Sequence, residues 1–338
     1  MLIQSHNLCI EKFCKKWIRG EYGVSAISEN GFFTFLFYRN TIYDHLFKFN
    51  FDCLNFNKIY ENGGKEFLQS EFKDFKHTLN EEIEGKKFSL CIEINLEKYK
   101  KSYEHIPFKI QGEEREKLRK EIEDSKNELE KIIKLISEKL SKFRINLYSY
   151  VIKHYLNMYK EKKSQSSFSL NLNKTNILYI VPSDNSTDFA YLVYCLNFTE
   201  PYEQLLCDLF LKEFKNKKNA DKKLFTVDLY DVSHEIPNII KEIDDVSKYS
   251  NGFIVFNISL KNVIELSNYL TFFVTFREYI AKYIKFIKIS LRKAIKEKGK
   301  DFKEKYDKLQ NKYLEDPDCK KLAVSLFRDG IAKDLKNI

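Results

Sequence analysis

From Asn251 to Tyr313 the chain reads NGFIVFNISLKNVIELSNYLTFFVTFREYIAKYIKFIKISLRKAIKEKGKDFKEKYDKLQNKY. The run Phe253-Ile254-Val255-Phe256-Asn257-Ile258 predicts a buried strand. From about Asn262 to Tyr313, some fifty residues, there is no proline and one glycine, Gly299, which predicts a very long helix. Phe273, Phe276, Ile280, Ile284, Ile287, Leu291 and Ile295 recur at steps of three and four, the stripe of a helix facing a core or a partner. A second line, Lys285, Lys288, Arg292, Lys296 and Lys300, runs beside it. Each residue advances the helix by about 100°, so the two lines form adjacent faces, one apolar and one basic. At 1.5 Å per residue such a helix spans roughly 75 Å, enough to reach outside its own domain.

Working outward, the order of elements repeats. A strand at Phe88–Leu96 alternates Phe88, Leu90, Ile92, Ile94 and Leu96 with polar or small residues. After a charged segment, Gly112–Asn127, a helical rhythm follows through Leu129, Ile133, Ile136, Leu140, Phe143, Leu147, Val151 and Tyr155. Upstream, residues 3–18 predict an amphipathic helix anchored by Leu8, Ile10, Phe13 and Trp17. Strands are predicted at Tyr22–Ser28 and Phe32–Tyr38, and residues 41–84 predict mixed structure with helices around the break Asn62-Gly63-Gly64. The polar stretch Lys160–Ser167 marks a boundary. Beyond it come strands at Phe168–Leu172, Asn176–Val181 and Phe189–Phe198, and a helix at Tyr202 to about Lys217. A strand at Leu224–Tyr230 and a short helix at Pro237–Val246 precede the opening stretch.

The fold class expected is α/β in the α+β sense: two similar domains of antiparallel-type sheet plus helices, each ending in a long helix. The divisions expected are residues 1–160, 161–260, a long C-terminal helix at 261–313, and a tail at 314–338.

Composition bounds the chemistry. The 338 residues carry a formal charge of +9 and are 43% hydrophobic, enough for real cores. Between Arg277 and Lys312 stand 13 Lys/Arg against 5 Asp/Glu, so the excess charge lies on the long helix. A localised basic face points to an acidic partner: nucleic acid, membrane lipid or an acidic protein surface. The 7 cysteines are odd in number and dispersed, which fits reduced buried thiols of a cytoplasmic or nuclear protein. No secretory signal is read at the N-terminus, and no apolar run approaches the ~20 residues that span a bilayer.

Catalytic and metal patterns are missing. His234-Glu235 lacks the second histidine of a zinc motif, and Cys9 and Cys14 fit a helix face better than a ligand pair. Gly63-Gly64-Lys65 lacks the upstream glycine and the hydroxyl residue of a phosphate loop. Asp244-Asp245 is a lone acidic pair. No cofactor and no enzymatic activity is expected. Nucleic-acid binding by the basic helix is the alternative, but Phe273, Phe276 and Phe286 are placed on or near the apolar face, where they serve core packing.

The run Thr275-Phe276-Arg277-Glu278-Tyr279-Ile280 resembles the Thr-Phe-Arg-Asp-Tyr-Leu motif opening the long C-terminal helix of subunit 2 of the actin-related protein 2/3 complex. Ile284-Lys285, Lys288 and Asp301-Phe302 match later turns of that helix without a gap. Gly252-Phe253-Ile254-Val255-Phe256 is similar to the family's Gly-Tyr-Ile-Thr-Phe strand, and Leu211-Lys212-Glu213-Phe214-Lys215 to its Met-Gln-Glu-Phe-Lys helix. Leu224-Phe225 and the Glu235-Ile236-Pro237 turn follow in the same order. The resemblance covers Phe168 to Lys312; before Lys160 it is limited to the opening helix, the Phe88–Leu96 strand and the helix after it. The charged segment at 112–128 is longer than in the family, and the tail beyond Tyr313 differs.

That resemblance implies two α/β domains of like topology and a non-enzymatic subunit. It would form the core of the complex with subunit 4, touch the other subunits, and sit on the mother actin filament during branched nucleation. ATP belongs to the two actin-related subunits. The site is the cytoplasm and actin cytoskeleton, with the nucleus as a second location. The implied filament contacts are Lys285 and Lys288 by motif match, Arg292 and Lys296 at positions basic or histidine in the family, and Lys300 by helical spacing. The implied subunit interface is the stripe Phe273, Phe276, Ile280, Ile284, Ile287, Leu291 and Ile295.

Overall fold

A computed structural model describes residues 7–19, 21, 25–29, 33–39, 45–83, 85–99, 112–163, 166–172, 176–183, 188–198, 200–220, 225–230, 252–297 and 321. The chain divides into two compact units between His154 and Tyr155. The short helix expected at Pro237–Val246, most of the tail and Lys300 lie outside the described residues.

The first unit opens with helix α1, Leu8–Ile18. The Asn7 side chain accepts hydrogen bonds from the backbone N–H of Cys9 and Ile10, satisfying donors that the helix itself leaves free. Ile10, Cys14, Trp17 and Ile18 are buried, one face of the turn. Strands β1 (Ser25–Glu29), β2 (Phe33–Arg39), β3 (Leu46–Asp52), β4 (Lys76–Ile83) and β5 (Lys86–Asn95) form one antiparallel sheet in the order β1-β2-β3-β5-β4. Phe35 is paired with Phe51, Phe37 with Phe49, and Phe49 with Ile92, so one sheet face is aromatic. Trp17 sits edge-on to Phe37 and Phe47 at 5.1 and 5.0 Å.

Between β3 and β4 lie helices α2 (Phe56–Ile59) and α3 (Lys65–Glu71), joined by a wide turn at Tyr60–Gly64. Gly63 takes φ +103, a conformation that favours glycine, and a β-carbon there would stand 3.1 Å from the His154 ring, close enough to press on it. Helices α4 (Gly112–Ser141) and α5 (Phe143–Lys160) follow β5. The continuous helix expected across this region is interrupted at Lys142. Phe143 then enters the aromatic core, 5.6 Å from Phe49 and 5.1 Å from Phe51.

The second unit repeats the plan. Strands β6 (Phe168–Asn171), β7 (Ile177–Pro182), β8 (Phe189–Cys195), β9 (Phe225–Tyr230) and β10 (Phe253–Ser259) are antiparallel in the order β6-β7-β8-β10-β9. In both sheets the last strand is inserted between the third and the fourth, so a helical crossover must link third to fourth. In the second unit that crossover is α6, Pro201–Ala220. Helix α7, Leu270–Glu297, follows β10 after three short helical pieces, Leu260–Asn262, Val263–Leu266 and Ser267–Tyr269, so the chain is helical from about Asn262 as expected but becomes one continuous α-helix only at Leu270. The molecule is thus mixed α/β, with two five-stranded antiparallel sheets of identical strand order and helices.

Two strands escape the reading by composition. Residues 41–84 contain β3 and β4 as well as helices. β4 is an edge strand whose side chains are mostly exposed or half-buried, so it carries no apolar alternation to read.

Candidate functional site

Helix α7 is held by its aromatic side. Phe273 and Phe276 are wholly buried, and Phe256 of β10 meets them at 5.2 Å each. Phe214 of α6 lies 5.3 Å from Phe276, and Phe210 lies 5.2 Å from Tyr283. With Lys288 near the start of α6 and Phe272 near Phe214, the two helices run antiparallel. Thr275, within the buried turn, donates its hydroxyl to the Thr271 carbonyl at 2.7 Å and so brings no unmet polar group into the core.

The structure therefore places Phe273, Phe276, Ile280, Ile284 and Ile287 inside the protein, where none offers surface to a partner. Leu291 is half-buried, and the side chain of Ile295 lies outside the described residues. Among the described residues, the large apolar groups that α7 shows to solvent are Phe286 (52% exposed) and Ile289 (55%). Phe286 thus departs from the expected core position. It falls one residue off the buried stripe, and the twist of one residue turns its ring outward.

The basic line also separates. The Lys288 ammonium donates to the carboxylates of Glu203 at 2.7 Å and Glu200 at 3.0 Å, beside the Tyr202 ring. Burial on its own would lower the Lys288 pKa, but the hydrogen bonds to Glu203 and Glu200 outweigh it and raise the value. Both acids sit at the start of α6, where the helix dipole also favours negative charge. Lys288 is a pin between α6 and α7. Lys285 is exposed, as is Lys282 one turn before it, and among the described residues neither forms an ion pair. The side chains of Arg292 and Lys296 lie outside the described residues. Arg277 of the family-like run stacks its guanidinium over Phe198 at 5.2 Å, and burial pulls its pKa below the ordinary guanidinium value.

Lys282, Lys285, Phe286 and Ile289 stand at i, i+3, i+4 and i+7, one stripe of the solvent side. The basic line expected from the sequence shares Lys285 with this stripe but continues through Lys288, Arg292, Lys296 and Lys300, and it lacks Lys282, Phe286 and Ile289. The signal was present: Phe286 and Ile289 are the apolar residues of this helix segment that break the buried periodicity.

Among the described residues, the other shifted groups are held by partners or by burial. Glu81 of β4 is bound by Lys48 and accepts from Thr78 at 2.6 Å. Burial would raise its pKa, yet the hydrogen bonds from Cys91, Lys48 and Thr78 hold it down at about 2. Burial pushes the thiols of Cys14, Cys53 and Cys91 up to about 12, which makes them poor nucleophiles. A shallow apolar dimple between Phe72, Ile92 and Ile136, with no room for a water molecule, is also lined by Lys139, which is already paired with Glu71 at 3.5 Å. Among the described residues no group of His, Cys, Asp and Glu gathers to hold a metal, and no helix is long and apolar enough to cross a membrane.

No protein-family model and no curated protein matches this chain. The likeness to the actin-related complex subunit rests on the residues quoted for it.

Proposed function

We propose that the chain is a structural, non-catalytic subunit of the actin-related protein 2/3 complex, paired with subunit 4 and seated against the mother actin filament in the cytoplasm. The observation that carries the reading is the division of labour on α7. The Thr275–Ile280 run that resembles the family motif is bound into the core through Phe276, while Lys285, two turns on, is exposed. Two units of one strand order, each followed by long helix, support it further.

In this reading the fold acts as a rigid mount. The aromatic side of α7 fixes the helix on its sheet, and the opposite side offers ammonium groups to the acidic surface of actin. Exposed charge pairs are each worth only ~0–1 kcal/mol. Affinity then comes from several pairs together and falls with added salt.

Affinity purification of the full chain followed by mass spectrometry tests the assignment. Recovery of actin-related subunits and a small α/β partner supports it. Their absence under stringent washing refutes it, and recovery of nucleic acid instead favours the basic helix as a nucleic-acid surface.

A further inference from the structure

We propose that Lys288 is a positioning residue, and that the surface α7 offers its partner is the quartet Lys282, Lys285, Phe286 and Ile289, which suits an acidic protein surface bearing an apolar recess. The inference rests on the filament-binding reading for the partner's name, but the geometry stands without it.

Lys288 is only 24% exposed and holds two carboxylates, Glu200 and Glu203, at 3.0 and 2.7 Å. A lysine so engaged must break two charge-assisted hydrogen bonds before it meets an outside acid. Its contribution to docking is thereby offset. What it does accomplish is rotational: it locks α7, two thirds of the way along, against the start of α6. The residues three and six positions before it, Lys285 and Lys282, then face outward with Phe286 and Ile289.

The mixture of groups selects the class of partner. Two ammonium groups with no ion pair among the described residues want carboxylates or phosphates. Of the half-exposed pair one turn apart, the Phe286 ring suits a base or an apolar recess alike, but Ile289 has neither charge nor ring to offer a nucleic acid, so the pair together favours a protein. They gain by entering an apolar recess, as the anchors of a helix laid on a protein do. The lysines at the rim then set on-rate and orientation, and the apolar pair sets residence time.

Lysine acylation by an N-hydroxysuccinimide ester, read by mass spectrometry on the full chain, tests the assignment without any partner. Lys282 and Lys285 should react several-fold faster than Lys288; equal rates overturn the proposal. Thermal unfolding of Lys288→Met, Glu203→Gln and the double variant gives a second readout. A double variant less destabilised than the sum of the singles supports the pin, and strict additivity overturns it. The assembled complex is then acylated with and without actin filaments. Protection of Lys282 and Lys285 supports the quartet, whereas protection of Lys288 with Lys282 and Lys285 still reactive overturns it. A complex that does not bind filaments refutes the filament reading, while acylation and the variant cycle still decide the role of Lys288.

Discussion

Replacing Phe276 with alanine separates the helix's buried side from its exposed one. The Phe276 ring is wholly buried and lies 5.1 Å from Phe272, 5.2 Å from Phe256, 5.3 Å from Phe214 and 5.5 Å from Tyr194. Four neighbouring rings cannot collapse into the space without leaving their own contacts, so the cavity persists. Truncation of a buried phenylalanine costs about 3–5 kcal/mol. Aromatic pairs at these distances carry ~0.5–1.5 kcal/mol beyond area burial, which places Phe276→Ala at the upper end. A domain holds only ~5–15 kcal/mol in all. The control is Phe286→Ala, ten residues along the same helix at 52% exposure, expected within ~0.5 kcal/mol of wild type. Guanidinium unfolding followed by far-ultraviolet circular dichroism measures both. A Phe276→Ala loss below ~1 kcal/mol, or a Phe286→Ala loss as large as that of Phe276→Ala, refutes the packing derived for α7.

Three further outcomes are expected. The Tyr194 hydroxyl is buried with no hydrogen-bond partner among the described residues, so Tyr194→Phe should raise the melting temperature by the equivalent of about 1 kcal/mol. Glu81 has its folded pKa depressed to about 2 from 4.5, so the stability it contributes is complete above about 4.5 and is lost as pH falls toward 2. Glu81→Gln should therefore lower stability at neutral pH and flatten the acid limb of a pH titration of unfolding between those values. Asn7→Ala removes the cap of α1 and should cost about 1 kcal/mol in the same denaturant assay, whereas Asn7→Asp should preserve most of it.

Much of the fold was legible because burial writes a period into the chain. Phe88, Leu90, Ile92 and Ile94 alternate as a strand must when one face is covered, and β5 lies there. Strand β10 occupies Phe253–Ser259, the apolar run that opens the quoted stretch. β3 carries the same alternation in Phe47, Phe49 and Phe51, inside the stretch 41–84 expected as mixed structure with helices. β4 does not, since an edge strand that leaves most of its side chains in or near water is under no pressure to alternate. The interaction face shows the limit of periodicity. Helical spacing puts Lys285 and Lys288 in one line, but it cannot report that Glu200 and Glu203, some 85 positions earlier, take Lys288 out of solution. Nor does it show that Phe286 lies just past the edge of the buried arc. Those facts depend on how α6 crosses α7, which is set by rings distant in sequence such as Phe210 and Phe214.

On the proposed function, α7 presents a basic, apolar-centred face to an actin filament. Co-sedimentation of the assembled complex with actin filaments across a salt series tests it most directly, comparing wild type with the combined charge reversal Lys282→Glu and Lys285→Glu. The account predicts filament binding by the wild type that weakens as salt rises, and its loss in the reversed variant at every salt concentration with an unchanged melting temperature. Wild-type complex that stays in the supernatant at low salt, or a reversed variant that pellets as well as wild type, would contradict it.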